Sequence, residues 1–199
     1  MRTALAPAVA ILFASCGAAT AHSPVKGIGA FYNGLLHPLL VPAHLLALVA
    51  IGLLVGQHAP RQSRAALPAF VAATAAALTL TCALPTLPRW PPLAVALAAG
   101  LAVASGRLPG PASWLLAVAA TAAVALDSQP DVIPADQAWL ALIGTGLGAA
   151  LIIVYLGGLA AWLDRPWHRI AIRALGSWIA AGAMLVLTLD LLSPASSSA

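Results

Sequence analysis

The sequence predicts an all-α, polytopic membrane protein with six transmembrane helices after a cleaved N-terminal signal peptide. Composition carries the first part of that prediction. Hydrophobic residues fill 62% of the chain and charged residues only 7%, where a soluble domain carries about 25% charged residues. Mean hydropathy is +0.98. Apolar runs near the roughly 20 residues that cross a bilayer recur along the chain. They are separated by short turns bearing proline, glycine and arginine. The formal charge of +4 is spread over those turns and never clusters with stacking aromatics. That placement suits membrane topology and excludes nucleic acid as a partner. Two cysteines, Cys16 and Cys82, make no disulfide framework.

Residues 1–21 hold Arg2, an apolar run and a small-residue ending at Ala21, the pattern of a secretory leader cut after Ala21. Phe13 is a poor fit for a lipoprotein site at Cys16, and an uncleaved first helix is the competing reading. The mature chain, 22–199, is one six-helix transmembrane domain starting at His22. Phe31 and Tyr32 are interfacial aromatics ahead of the first span, roughly 34–56. The second span covers roughly 66–84. A turn at 85–92 holding Arg89, Trp90 and four prolines breaks the helix there. The third span covers about 91–106 and the fourth about 112–126, with Gly106 to Gly110 as the turn between them. An aspartate-bearing loop, 127–137, leads to a fifth span at about 138–163. Asp164 to Arg169 reads as a polar turn, and the sixth span covers about 171–192. Gly144 and Gly148, spaced for close helix approach, read as packing devices.

Six spans after a cleaved leader place both mature termini outside a bacterial-type cytoplasmic (inner) membrane. The distribution of positive charge agrees. Arg61, Arg64, Arg107, Arg165, Arg169 and Arg173 fall on the cytoplasmic side, against Lys26 and Arg89 outside.

Asn33 to Gln57 is the stretch around which the remainder is organised. His37 and His44 are seven residues apart, so a straight helix puts both imidazoles on nearly one face, about 10 Å apart along the axis. One ion cannot bridge that distance unless Pro42 kinks the helix. Asn33, four residues before His37, extends the stripe outward. Ionisable groups inside a span are costly and point to function, and neutral imidazole suits nickel, copper, zinc and iron(II). The structural alternative is that each histidine bonds a carbonyl freed by proline. Asp190, near the outer end of the last span, is placed to meet His37 and supply an oxygen ligand. Asp127, Asp131 and Asp136 form a candidate acidic collar, or a solvated turn. His22, as a new N-terminus, can chelate through amine and imidazole. His58 and His168 lie beside arginines and read as solvated. Neither H-E-x-x-H nor C-x-x-C occurs, and no enzyme signature is present.

At His37-Pro38 and His44-Leu45-Leu46-Ala47 the chain resembles the HupE/UreJ family, small membrane proteins associated with hydrogenase and urease maturation and implicated in nickel uptake. The family pattern H-P-x-x-G-x-D-H-L-L-A-M stands here as His37-Pro38-Leu39-Leu40-Val41-Pro42-Ala43-His44-Leu45-Leu46-Ala47-Leu48, with Gly52 and Gln57 beyond. Three departures matter. The aspartate before the second histidine is Ala43, the family's glycine is replaced at Val41 or Pro42, and Leu126-Asp127-Ser128-Gln129 stands where a second, histidine-rich motif is expected. The resemblance implies about six helices and a divalent metal, nickel first, as cargo, with no tightly bound cofactor. The expected function is a permease that passes ions from the acidic loop to His37 and His44. A non-transporting scaffold or accessory subunit with structural histidines is the alternative. A second copy of the chain and accessory proteins are the candidate protein partners.

Overall fold

The structure is a computed structural model, and it describes residues 27–58, 72–77, 90–106, 108–128 and 136–192. The described residues are helical, with no strand among them. Six helices are delimited: α1 (Ala30–Leu40), α2 (Pro42–Gly56), α3 (Trp90–Ser105), α4 (Gly110–Leu126), α5 (Ala138–Trp162) and α6 (Pro166–Leu192). A further helical stretch covers 72–77, inside the expected second span. The leader, His22 and the rest of that second span lie outside the described residues.

By length and composition α5 and α6 are each able to cross a membrane, and α1 and α2 pass the same test only when taken together, with the shape of a broken span or a re-entrant loop. The remaining delimited apolar helices, α3 and α4, are shorter.

The expected first span, 34–56, is two helices. They meet at Val41 and are bent by 74°. The cause is local. Pro42 has no amide proton and disfavours helical geometry in the residue before it. Val41 accordingly adopts φ −95° and ψ 109°, and Pro42 opens α2 as its first residue. The backbone stays hydrogen-bonded across the break, with the Val41 amide donating to the His37 carbonyl and the Leu45 amide to the Val41 carbonyl.

Two expected turns are also partly helical. Trp90, Pro91 and Pro92 form the first turn of α3, and Pro166 to Arg169 form the first turn of α6. Proline is tolerated there because first-turn amides have no intrahelical partner.

α2 is the central helix. Apolar almost all round, it is buried along its length, including Ala47, Leu48, Ala50, Ile51, Leu53 and Leu54. It packs on α3, α4, α5 and α6, while α1 lies along α5 and α6 lies along α3. Large apolar side chains remain exposed on the outer helices, among them Leu151, Tyr155, Trp162, Trp178 and Leu185. Such a surface suits lipid, in which helices associate through close packing of small residues.

The glycines supply that close packing at three seams. A Cβ on Gly34, Gly144 or Gly148 would run into backbone atoms of the facing helix where α1 crosses α5. Gly56 does the same for α2 on α5, and Gly100 and Gly176 for α3 on α6. Gly158, by contrast, faces open space.

Candidate metal-handling site

The break at Val41 creates the site. His37 occupies the last turn of α1 and His44 the first turn of α2. Folding one helix back on the other brings the two rings edge to face, with centroids 5.2 Å apart and planes inclined by 63°. The separation along a straight helix is thus replaced by ring contact, through the kink at Pro42.

His44 is fully buried. Its Nε2 lies 2.8 Å from Asp127 Oδ2, across the seam between α2 and the end of α4. An ionised carboxylate can only accept, so the Nε2–H of His44 donates to Asp127. In the neutral ring this fixes the tautomer and leaves Nδ1 with a lone pair. That Nδ1 is buried and has no hydrogen-bond partner among the described residues. A carboxylate holding one ring nitrogen while the other is presented is the arrangement that orients histidines toward metal ions. The carboxylate, missing at Ala43 in sequence, reaches His44 from α4.

Asn33 lies on α1 four residues before His37, and its Nδ2 donates to the Ile28 carbonyl at 2.8 Å, where the chain enters the helix. Asp190 is exposed near the end of α6, on a helix that lies along α3, whereas His37 belongs to the α1–α5 pair. Asp136 is exposed at the start of α5, and Asp131 lies outside the described residues. Among the described residues the collar contributes Asp127 to the histidines. Among the described residues no three His, Cys, Asp or Glu side chains converge as a metal cage. His37, His44 and Asp127 form a string, in which only His44 touches both of the others.

The opposite end of the bundle holds contacts that the sequence did not reveal. His58, expected to be solvated, is half-buried with its Nε2 2.7 Å from the buried Ser113 Oγ. Ser113 Oγ donates to the Pro109 carbonyl, which leaves the oxygen to accept from His58. The reason is packing: α4 runs antiparallel to α2 and brings its first turn beside the end of α2. Gln57 Nε2 donates to the Val103 carbonyl of α3 at 3.3 Å. His168 is half-buried and packs on the Trp167 ring, with centroids 3.9 Å apart. A polar residue recurring on a buried helix face was the available signal for Ser113 and Thr121, which lie on the inward face of α4.

Residues 9–186 match the family model described as HupE / UreJ protein. No curated protein and no solved structure matches the chain. With that match covering most of its length, and with the His37 and His44 motif at the bend, this chain belongs to the HupE/UreJ family.

Proposed function

We propose that this protein carries a divalent transition-metal cation, nickel by family, across the cytoplasmic membrane in support of hydrogenase or urease metallocentre assembly. One observation supports this above the others. His44 is buried, its Nε2 is held by Asp127, its Nδ1 is left as a lone-pair donor, and its ring packs edge to face on His37. In this reading His37 receives the ion at the break and His44 takes it next. Asp127 orients His44 and offsets the ion's charge. The bend at Pro42 is the hinge about which α1 rocks against α2, since broken helices mark the binding region of many transporters.

The six-span topology, with the leader removed after Ala21 and both mature termini outside, belongs to the same proposal. Its support is that Gln57, Gly106 and Asp164, from the ends of the first, third and fifth spans, line one cavity. Those segments would share the cytoplasmic side. Reporter fusions at the C-terminus and the mass of the mature N-terminus test it.

The His44–Asp127 contact also favours a second reading, because it ties α2 to α4: a non-transporting scaffold in which both histidines are structural. Metal accumulation in expressing cells separates the two. Nickel, cobalt, copper, zinc, manganese and iron would be compared for the wild-type chain, His37→Ala and His44→Ala at matched membrane abundance. Permease function requires one ion to accumulate and both substitutions to abolish it. No accumulation by well-inserted wild-type protein would leave the scaffold reading.

A further inference from the structure

Arg165, just before α6, and Arg169 and Arg173 in its first turns stand at four-residue spacing, which lines them up along the start of the helix. Arg169 and Arg173 line a cavity of about 280 Å³ together with Gln57, Gly106 and Asp164. Arg165 and His168 line a neighbouring recess that shares Leu163 and Asp164 with it.

This cationic stripe opposes its own helix. Like charges four residues apart repel, and the start of a helix is the positive end of its dipole. The first turn of α6 holds no acidic residue. Among the described residues Asp164 is the single carboxylate lining either recess, and no arginine lies within ion-pair distance of a carboxylate. An anion from outside the chain would relieve both penalties at once.

The cavity is shaped for one. Arg173 is held in place by its Nε donating to the Ala104 carbonyl at 2.7 Å, at the end of α3. That bond leaves the two terminal nitrogens of the guanidinium, a planar fork that matches phosphate oxygens. Gly106 turns the chain there at φ +62°, with the Arg173 side chain lying over it. Trp162 lines the neighbouring recess and Trp167 packs on His168 there; both are exposed and suit the head-group layer of a bilayer.

We propose that the cavity between Arg169 and Arg173 binds the phosphate of an anionic phospholipid head group. The shared chemistry, a phosphate ester, is also that of a soluble phosphorylated compound, so the test includes both sources. Thermal unfolding of the full purified chain in neutral detergent would be followed while adding dioctanoyl phosphatidylglycerol, dioctanoyl phosphatidylcholine or sn-glycerol 3-phosphate. Phosphatidylglycerol should raise the unfolding temperature saturably, and the other two should not. Arg169→Gln should weaken that response about tenfold, the loss of one charge-assisted hydrogen bond. The Arg169→Lys, Arg173→Lys double variant keeps the charge that orients the helix and loses the fork, so it should insert normally and respond weakly. An equal response to phosphatidylcholine would overturn the proposal. So would a full response in the double variant, and an equal response to glycerol phosphate would reassign the site to a soluble ligand. Neither histidine of the metal-handling site enters this measurement, so its outcome is independent of transport.

Discussion

His44 Nε2 and Asp127 Oδ2 lie 2.8 Å apart across the seam between α2 and α4, and this contact has a counterpart at the other end of the same seam. There His58 Nε2 meets Ser113 Oγ at 2.7 Å. The second pair is displaced from the first by 14 residues on each helix, in opposite chain directions, or about 21 Å along the axis. Leu48, Ile51, Ala117, Ala120 and Val124, all fully or nearly fully buried, fill the stretch between them. The two helices are thus antiparallel partners clasped by a histidine at each end.

Asp127→Asn preserves side-chain shape and removes the charge that holds the His44 Nε2–H. Loss of such an orienting partner weakens a metal-handling histidine about 10- to 100-fold. Initial rates of radioactive nickel uptake should fall by that order with membrane abundance unchanged. An unaltered rate would show that Asp127 only ties the helices together.

Pro42→Ala restores an amide proton and permits helical geometry at Val41. The α1–α2 unit should straighten and draw the two imidazoles apart. Spin labels at positions 32 and 57, in a chain without its native cysteines, would then separate by roughly 6 Å more than in the bent form. Pulsed dipolar spectroscopy reads that change directly. If the distance stays put, packing against α5 holds the bend and Pro42 does not.

Gly148→Ala sets a methyl group against the Leu35 carbonyl, whereas Gly158→Ala meets nothing within 4 Å. The first substitution should destabilise the α1–α5 seam by about 1–3 kcal/mol, the usual cost of overpacking. The second should be neutral. Thermal unfolding of the two variants in the same detergent makes the comparison.

Ser113→Ala removes the acceptor for His58 and should lower stability by about 1 kcal/mol. His58→Ala should lower it too, and the double variant should cost less than the two single losses added together. Nickel uptake by Ser113→Ala should match the wild-type rate, because this clasp stands at the far end of the seam from His37. A large uptake defect would instead place His58 on the ion path.

Composition and periodicity identify the helices at 90–105, 110–126, 138–162 and 166–192 to within a few residues, because a long apolar run between proline- and glycine-bearing turns is visible in the chain itself. The motif at His37 and His44 was equally legible, and so was family membership, since both depend on residues close together in the chain. Pro42 announced a kink, but not the size of one. A proline removes the local hydrogen bond, and the packing of α1 on α5 through Gly34, Gly144 and Gly148 then determines how far the chain turns. The 74° bend, and with it the ring contact between His37 and His44, was decided at that level.

The choice of carboxylate was decided there too. By sequence Asp127 and Asp190 were both candidates near the same end of the chain's spans, and nothing local distinguishes one aspartate from the other. Helix neighbours do. α4 packs beside α2, so Asp127 reaches His44, while α6 lies along α3 and leaves Asp190 exposed. The antiparallel register that pairs His58 with Ser113 has the same origin. A membrane-embedded helical chain of the HupE/UreJ family, with two histidines at a proline break, is written in local composition and spacing. Which side chains meet across its helices was left to tertiary packing, because contact between residues 83 positions apart depends on helix neighbours and register, which no local pattern encodes.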